Sequence, residues 1–245
     1  MLRKLSKASL LPDYQSTGDI ALQNQNTLRK MVGALGILLP LIVYLFLQIT
    51  DDFDPVLPSI SHYYFTRSSS FFEIIVSLLA VFLLIYKGEK FIDYILSSLA
   101  GLSALLMLIF PTSNLWGLMQ GKYDLVAVTC FKQSEFRPKF HYGCAAIFLI
   151  CLALISLLLF TKSSQSPSHR TQRKKIRNWI YRGCAIIMFS ALLVAFLGFL
   201  GTIDEKYYDS HNMTFWMEVI SVEAFGLSWM VKGGFIFQDK IKIDL

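Results

Sequence analysis

Ser59, Ser61, His62 and Arg67 fall within one short stretch, Pro58–Arg67, the densest polar cluster of the chain. A serine hydroxyl beside an imidazole is the nucleophile and general base of acyl transfer, and a carboxylate that orients the base completes the set. Ser59 or Ser61 could supply the hydroxyl, His62 or His141 the imidazole, and Glu218 or Glu223 the carboxylate. Glu73 joins them as a further acid near the same end of the helices. Imidazoles also bind zinc. However, His62, His141 and His211 lack a paired spacing such as H-E-x-x-H, so no metal is assigned. There is no G-x-S-x-G elbow, phosphate loop or dinucleotide fingerprint, and catalytic residues and cofactor stay unassigned.

The elements that must position these residues are long apolar runs. Apolar residues make up 54% of the chain and charged ones only 16%, with the charge gathered between the runs. The runs predict helices over about 31–49, 71–87, 93–111, 140–161, 179–202 and 213–232, close to the roughly 17–25 residues a spanning helix needs. Continuous rather than alternating hydrophobicity selects helices over a barrel. The expected fold is therefore all-α, a six-helix transmembrane bundle. A polar tail (1–30) precedes the membrane domain (31–233), and a short tail (234–245) follows it. The Ser/Gln/Pro stretch Ser163–Ser168 reads as a linker dividing the helices four and two.

Basic residues set the orientation. Seventeen of the 23 Lys and Arg fall on the side of the two termini, including Arg29, Lys30 and the run Arg170–Arg177. The acidic clusters Asp51, Asp52, Asp54 and Asp204, Glu205, Asp209 lie on the other side. Both termini are thus expected in the cytoplasm, and the net charge of +6 needs no nucleic-acid partner. The expected partner is the lipid bilayer, and the few residues outside the spans together with the lack of targeting signals favour a bacterial inner (plasma) membrane over a eukaryotic internal one. The first span would be its own insertion signal. Cys144, Cys151 and Cys184 fall inside spans and only Cys130 in a connection.

Counted from Thr214 at about 1.5 Å per residue, Glu218 sits roughly 6 Å and Glu223 roughly 13 Å into the core. Carboxylates at membrane depth must face the bundle interior or find partners. Five residues turn a helix through about 140°, so the two acids do not share a face. The long connection 112–139, with Trp116, Leu118 and Tyr123, reads as an interfacial aromatic belt or a lid. Pro111-Thr112 could line the same mouth. Three activities fit these residues. The first is binding of a lipid or small ligand in an outward polar pocket formed by Ser59, Ser61, His62, Arg67, Glu73, His141, Glu218 and Glu223. The second is intramembrane metal-dependent hydrolysis of lipid amides or esters. The third is proton-linked transport with Glu223 as carrier.

Pro58-Ser59-Ile60-Ser61-His62-Tyr63-Tyr64, Phe110-Pro111-Thr112, His141 and Phe225-Gly226-Leu227-Ser228-Trp229 together resemble an uncharacterised family of bacterial six-span membrane proteins. More distantly, an early serine and a histidine opening a later span are similar to the damage-regulated autophagy modulators and the alkaline-ceramidase-like hydrolases. The latter resemblance implies a zinc held by histidines, with serine and aspartate. This chain has neither the paired late histidines nor an intramembrane aspartate.

Overall fold

The computed structural model describes residues 17–86, 88, 91–162 and 170–237. Among these residues every regular element is a helix. The order is α1 (Thr17–Asp51), a 3-10 segment (Ile60–Phe65), α2 (Ser69–Ile85), α3 (Phe91–Ile109), α4 (Phe136–Leu154), α5 (Gln172–Phe199), short α6 (Glu205–Ser210) and α7 (Met213–Lys232). A π-helical turn, Ile155–Leu159, extends α4. The linker Ser163–Ser168, residues 1–16 and the tail after Phe237 lie outside the described residues, as do Lys87, Glu89 and Lys90. Within the predicted amino-terminal tail, residues from Thr17 onward are already helical.

The six long helices close into a ring. α1 packs on α2 and α7, α2 on α3, α3 on α4, α4 on α5, and α5 on α7. Among the described residues, four helical stretches are long and apolar enough to cross a membrane: Gln25–Asp51, Phe91–Ile109, Phe136–Leu159 and Gln172–Phe199. α2 is apolar but 17 residues long, and α7 carries Glu218 and Glu223. The outward faces are apolar as well as the core. Leu38, Leu41, Leu45 and Ile49 of α1 and Ile74, Leu78, Val81 and Ile85 of α2 are all exposed. Patches of that extent are unfavourable in water and ordinary against hydrocarbon chains.

Glycines set the closest helix approach. A Cβ on Gly33 of α1 would lie 2.7 Å from the Gly226 carbonyl oxygen of α7, and one on Gly226 would lie 2.7 Å from the Gly33 carbonyl oxygen. This is the small-residue contact that lets helices associate without a hydrophobic drive between them. Inside the ring, Trp229 stacks edge-on against Tyr86, Phe160 and Phe225, and Phe160 against Tyr181. This aromatic cluster fills the end of the bundle at which α7 finishes.

Candidate functional site

The opposite end of the ring holds the 3-10 segment, and its geometry follows from α7. Ser59 precedes the segment in extended conformation and its side chain caps no backbone group. Glu218 takes over the capping. Its carboxylate accepts the Ile60 N–H at 2.6 Å, and the Ser61 N–H points to it as well. The first N–H groups of a helical turn have no partner within the turn, and an acceptor oxygen from another element satisfies them. Glu218 thereby holds the segment to α7.

So held, the segment brings Ser59 and His62 together. Both are buried, and Ser59 Oγ lies 2.7 Å from His62 Nδ1. The other ring nitrogen, Nε2, lies 3.3 Å from Ser113 Oγ in the long connection. Burial, and secondarily the neighbouring His141, push the His62 pKa down to about 3. The ring is therefore neutral near pH 7, with one nitrogen donating and the other accepting. The row Ser59–His62–Ser113 can hold its protons in either sense.

His141 is buried in the first turns of α4 and has a different task. Its Nδ1 lies 2.9 Å from the Phe110 carbonyl oxygen and 3.2 Å from that of Met107. Carbonyls only accept, so Nδ1 carries the hydrogen and His141 closes the carboxyl end of α3. Beside it the buried Thr112 hydroxyl donates to the Tyr142 hydroxyl at 3.3 Å.

The connection between α3 and α4 forms a roof over this end; it is shorter than the expected 112–139 stretch, because α4 already begins at Phe136. Its own Leu115, Tyr123 and Val126 are buried. The Val128 N–H donates to the Phe65 carbonyl at 2.9 Å, and the Tyr123 hydroxyl to Asn212 Oδ1 at 3.3 Å. Under the roof's edge opens a pocket of about 450 Å³ whose lining includes Ser113, Trp116, Leu118, Gln133, Glu135 and Arg137. Ser113 belongs both to the pocket wall and to the His62 row.

The remaining sequence-predicted residues are placed elsewhere. Arg67 pairs with Asp51 at 3.1 Å and ties the start of α2 to the end of α1. Glu73 is exposed on α2. Glu223 lies on the α7 face that carries the exposed Trp216, Ile220 and Leu227, away from Glu218. Ser61 offers its backbone rather than its hydroxyl. Among the described residues no three His, Cys, Asp or Glu side chains come together as metal ligands. Both His62 nitrogens face serine hydroxyls, so these residues do not fit a zinc held by histidines. Ser113 was not anticipated, although it directly follows the Pro111-Thr112 pair expected at the mouth.

The class this defines is a protein whose described residues form helices alone, four of them long and apolar enough to cross a membrane. Within it, the chain belongs to a family of unknown function (DUF7103), whose model matches residues 40–233. That stretch contains Ser59, His62, Ser113, His141 and Glu218. No curated protein and no solved structure matches the chain.

Proposed function

We propose that the protein spans a bacterial inner membrane six times with both termini in the cytoplasm, and binds a lipid or small amphiphilic ligand at its outward face. The observation that carries this reading is the position of Ser113, in the wall of the roofed pocket and 3.3 Å from His62. A ligand there would lay an apolar portion on Trp116 and Leu118. It would turn hydrogen-bonding groups to Ser113, Gln133 and Arg137. The lining is mixed and mostly polar, with Trp116 and Leu118 as its large apolar members, which suits an amphiphile rather than a wholly apolar molecule.

The test is mass spectrometry of small molecules retained by the full-length protein purified in mild detergent. Wild type is expected to carry a discrete ligand that Trp116→Ala and Ser113→Val lose while keeping their helical content. A wild-type protein that carries nothing beyond bulk lipid sinks the binding reading.

The contact of 2.7 Å between Ser59 and His62 favours a second reading, hydrolysis of a lipid ester or amide. Three features place it behind binding. A histidine with a pKa of about 3 is a weak base at neutral pH. Ser59 is buried, and Glu218 faces backbone N–H groups instead of the imidazole. Turnover of a fluorogenic lipid ester that Ser59→Ala abolishes would reverse that order.

A further inference from the structure

The aromatic end of the ring carries a second cavity, and its lining is cationic. A cleft of about 320 Å³ opens between α1, α5 and α7, lined by Asn26, Arg29, Lys174, Arg177, Tyr181 and Lys232, with no acidic residue among its described lining. Arg29 is the informative member. It is only 9% exposed, and its terminal nitrogens donate to two neutral groups, Asn26 Oδ1 at 3.0 Å and the Tyr86 hydroxyl at 3.2 Å. Its Nε is buried with no partner, and among the described residues no carboxylate pairs with it. The guanidinium also sits over the Tyr86 ring at 5.7 Å.

Orientation in the membrane does not call for this arrangement. A topology signal needs basic residues on one side, but not a guanidinium taken out of water. Burying a charge costs several kcal/mol unless it is paired and hydrogen-bonded. The helix ends sharpen the point. The first turn of α5 has no acid and holds Arg173 and Lys174, at the end where the backbone dipoles already favour an anion. Lys174 donates to the Phe160 and Lys162 carbonyls at 3.3 and 3.0 Å, which holds its ammonium at the end of α4. Lys232 lies over the Phe160 ring at 5.4 Å, on the same aromatic floor.

We propose that this cleft binds a phosphate group, with Arg29 as its fixed donor and Lys174, Arg177 and Lys232 supplying the surrounding charge. Guanidinium groups recognise phosphate through paired N–H donors, and a basic pocket between helices suits a phosphate headgroup. The phosphate could belong to an anionic phospholipid or to a soluble phosphorylated molecule. The chemistry is the same for both.

Thermal unfolding of the full-length protein separates the two sources. One arm titrates inorganic phosphate, against sodium chloride at matched ionic strength, into protein in a phosphate-free detergent. The other compares nanodiscs of phosphatidylcholine alone with nanodiscs containing added phosphatidic acid. A rise in the unfolding midpoint in either arm is expected: with inorganic phosphate for a soluble ligand, with phosphatidic acid alone for a headgroup. Arg29→Gln should weaken the effect about tenfold or more, the equivalent of one lost charge-assisted hydrogen bond. Because Arg29 is buried and its variant can misfold, the rim variant Arg177→Gln with Lys232→Gln carries the same test and should show the same weakening. No rise in either arm, or an equal rise in wild type and the rim variant, overturns the proposal.

Discussion

At the scale of single residues, Glu218 and His62 divide the work at the roofed end of the bundle. Glu218 holds the 3-10 segment through backbone N–H groups, and the segment holds His62 against Ser59 and Ser113. Glu218→Ala removes the acceptor of these bonds and leaves the buried Ile60 N–H bare, at a cost of about 1–3 kcal/mol. The expected result is a lower unfolding midpoint with proteolytic cutting near residues 56–67. Glu218→Gln, which keeps an acceptor oxygen, should restore most of the midpoint. Equal losses in both variants would mean that the carboxylate does something other than cap the segment. For His62 the pH dependence follows from its pKa of about 3 against an ordinary 6.5. Between those values the unfolded chain binds a proton that the folded protein refuses. Stability is thus full above about pH 6.5 and falls as the pH drops toward 3, by up to about 1.4 kcal/mol per unit. His62→Asn removes this group, so its midpoint should change less with pH than that of wild type in the window from 6.5 down to 4. Parallel profiles would show that His62 is not held neutral.

At the scale of elements, the helices were legible in sequence because each is written as a continuous apolar run of roughly the length a spanning helix needs. The 100° turn per residue was enough to separate Glu218 from Glu223 on α7. The 3-10 segment and the roof were harder to read. Their shape depends on contacts between residues far apart in the chain, such as Val128 with Phe65 and Tyr123 with Asn212, and no local periodicity records those. Ser113 went unread for that reason, since a serine after Pro111-Thr112 acquires meaning only when the roof closes on His62. Arg29 went unread because a cation before an apolar run also serves topology, and burial cannot be seen in the sequence. The α1–α7 pairing yields its own prediction. Gly33→Ala places a methyl group against the Gly226 carbonyl, and overpacking of this kind typically costs 1–3 kcal/mol. Gly143→Ala, where a Cβ meets nothing within 4 Å, is the matched control and should hold the midpoint or raise it, since alanine is favoured over glycine inside a helix by about 0.5–1 kcal/mol. If both variants melt together with wild type, α1 and α7 do not approach as closely as the structure has them.

At the scale of the whole molecule, the ring places two chemically opposite ends on one apolar belt. One end gathers Glu218, His62, His141 and the roof. The other gathers Arg29, Lys174, Arg177 and Lys232 around an aromatic floor. If the basic end faces the cytoplasm, as the bias of Lys and Arg favours, the roof faces outward, and its ligand would come from a different compartment from the phosphate at the far cleft. Cys130 reports on this directly. It is the exposed cysteine of the roof, whereas Cys144, Cys151 and Cys184 are buried in helices. A membrane-impermeant maleimide applied to intact cells should label the protein, and Cys130→Ser should remove the label. Labelling that appears only after the membrane is permeabilised would invert the bundle. The roofed pocket would then open to the cytoplasm and the phosphate cleft to the outside, and both ligands would have to be sought on the opposite sides of the membrane.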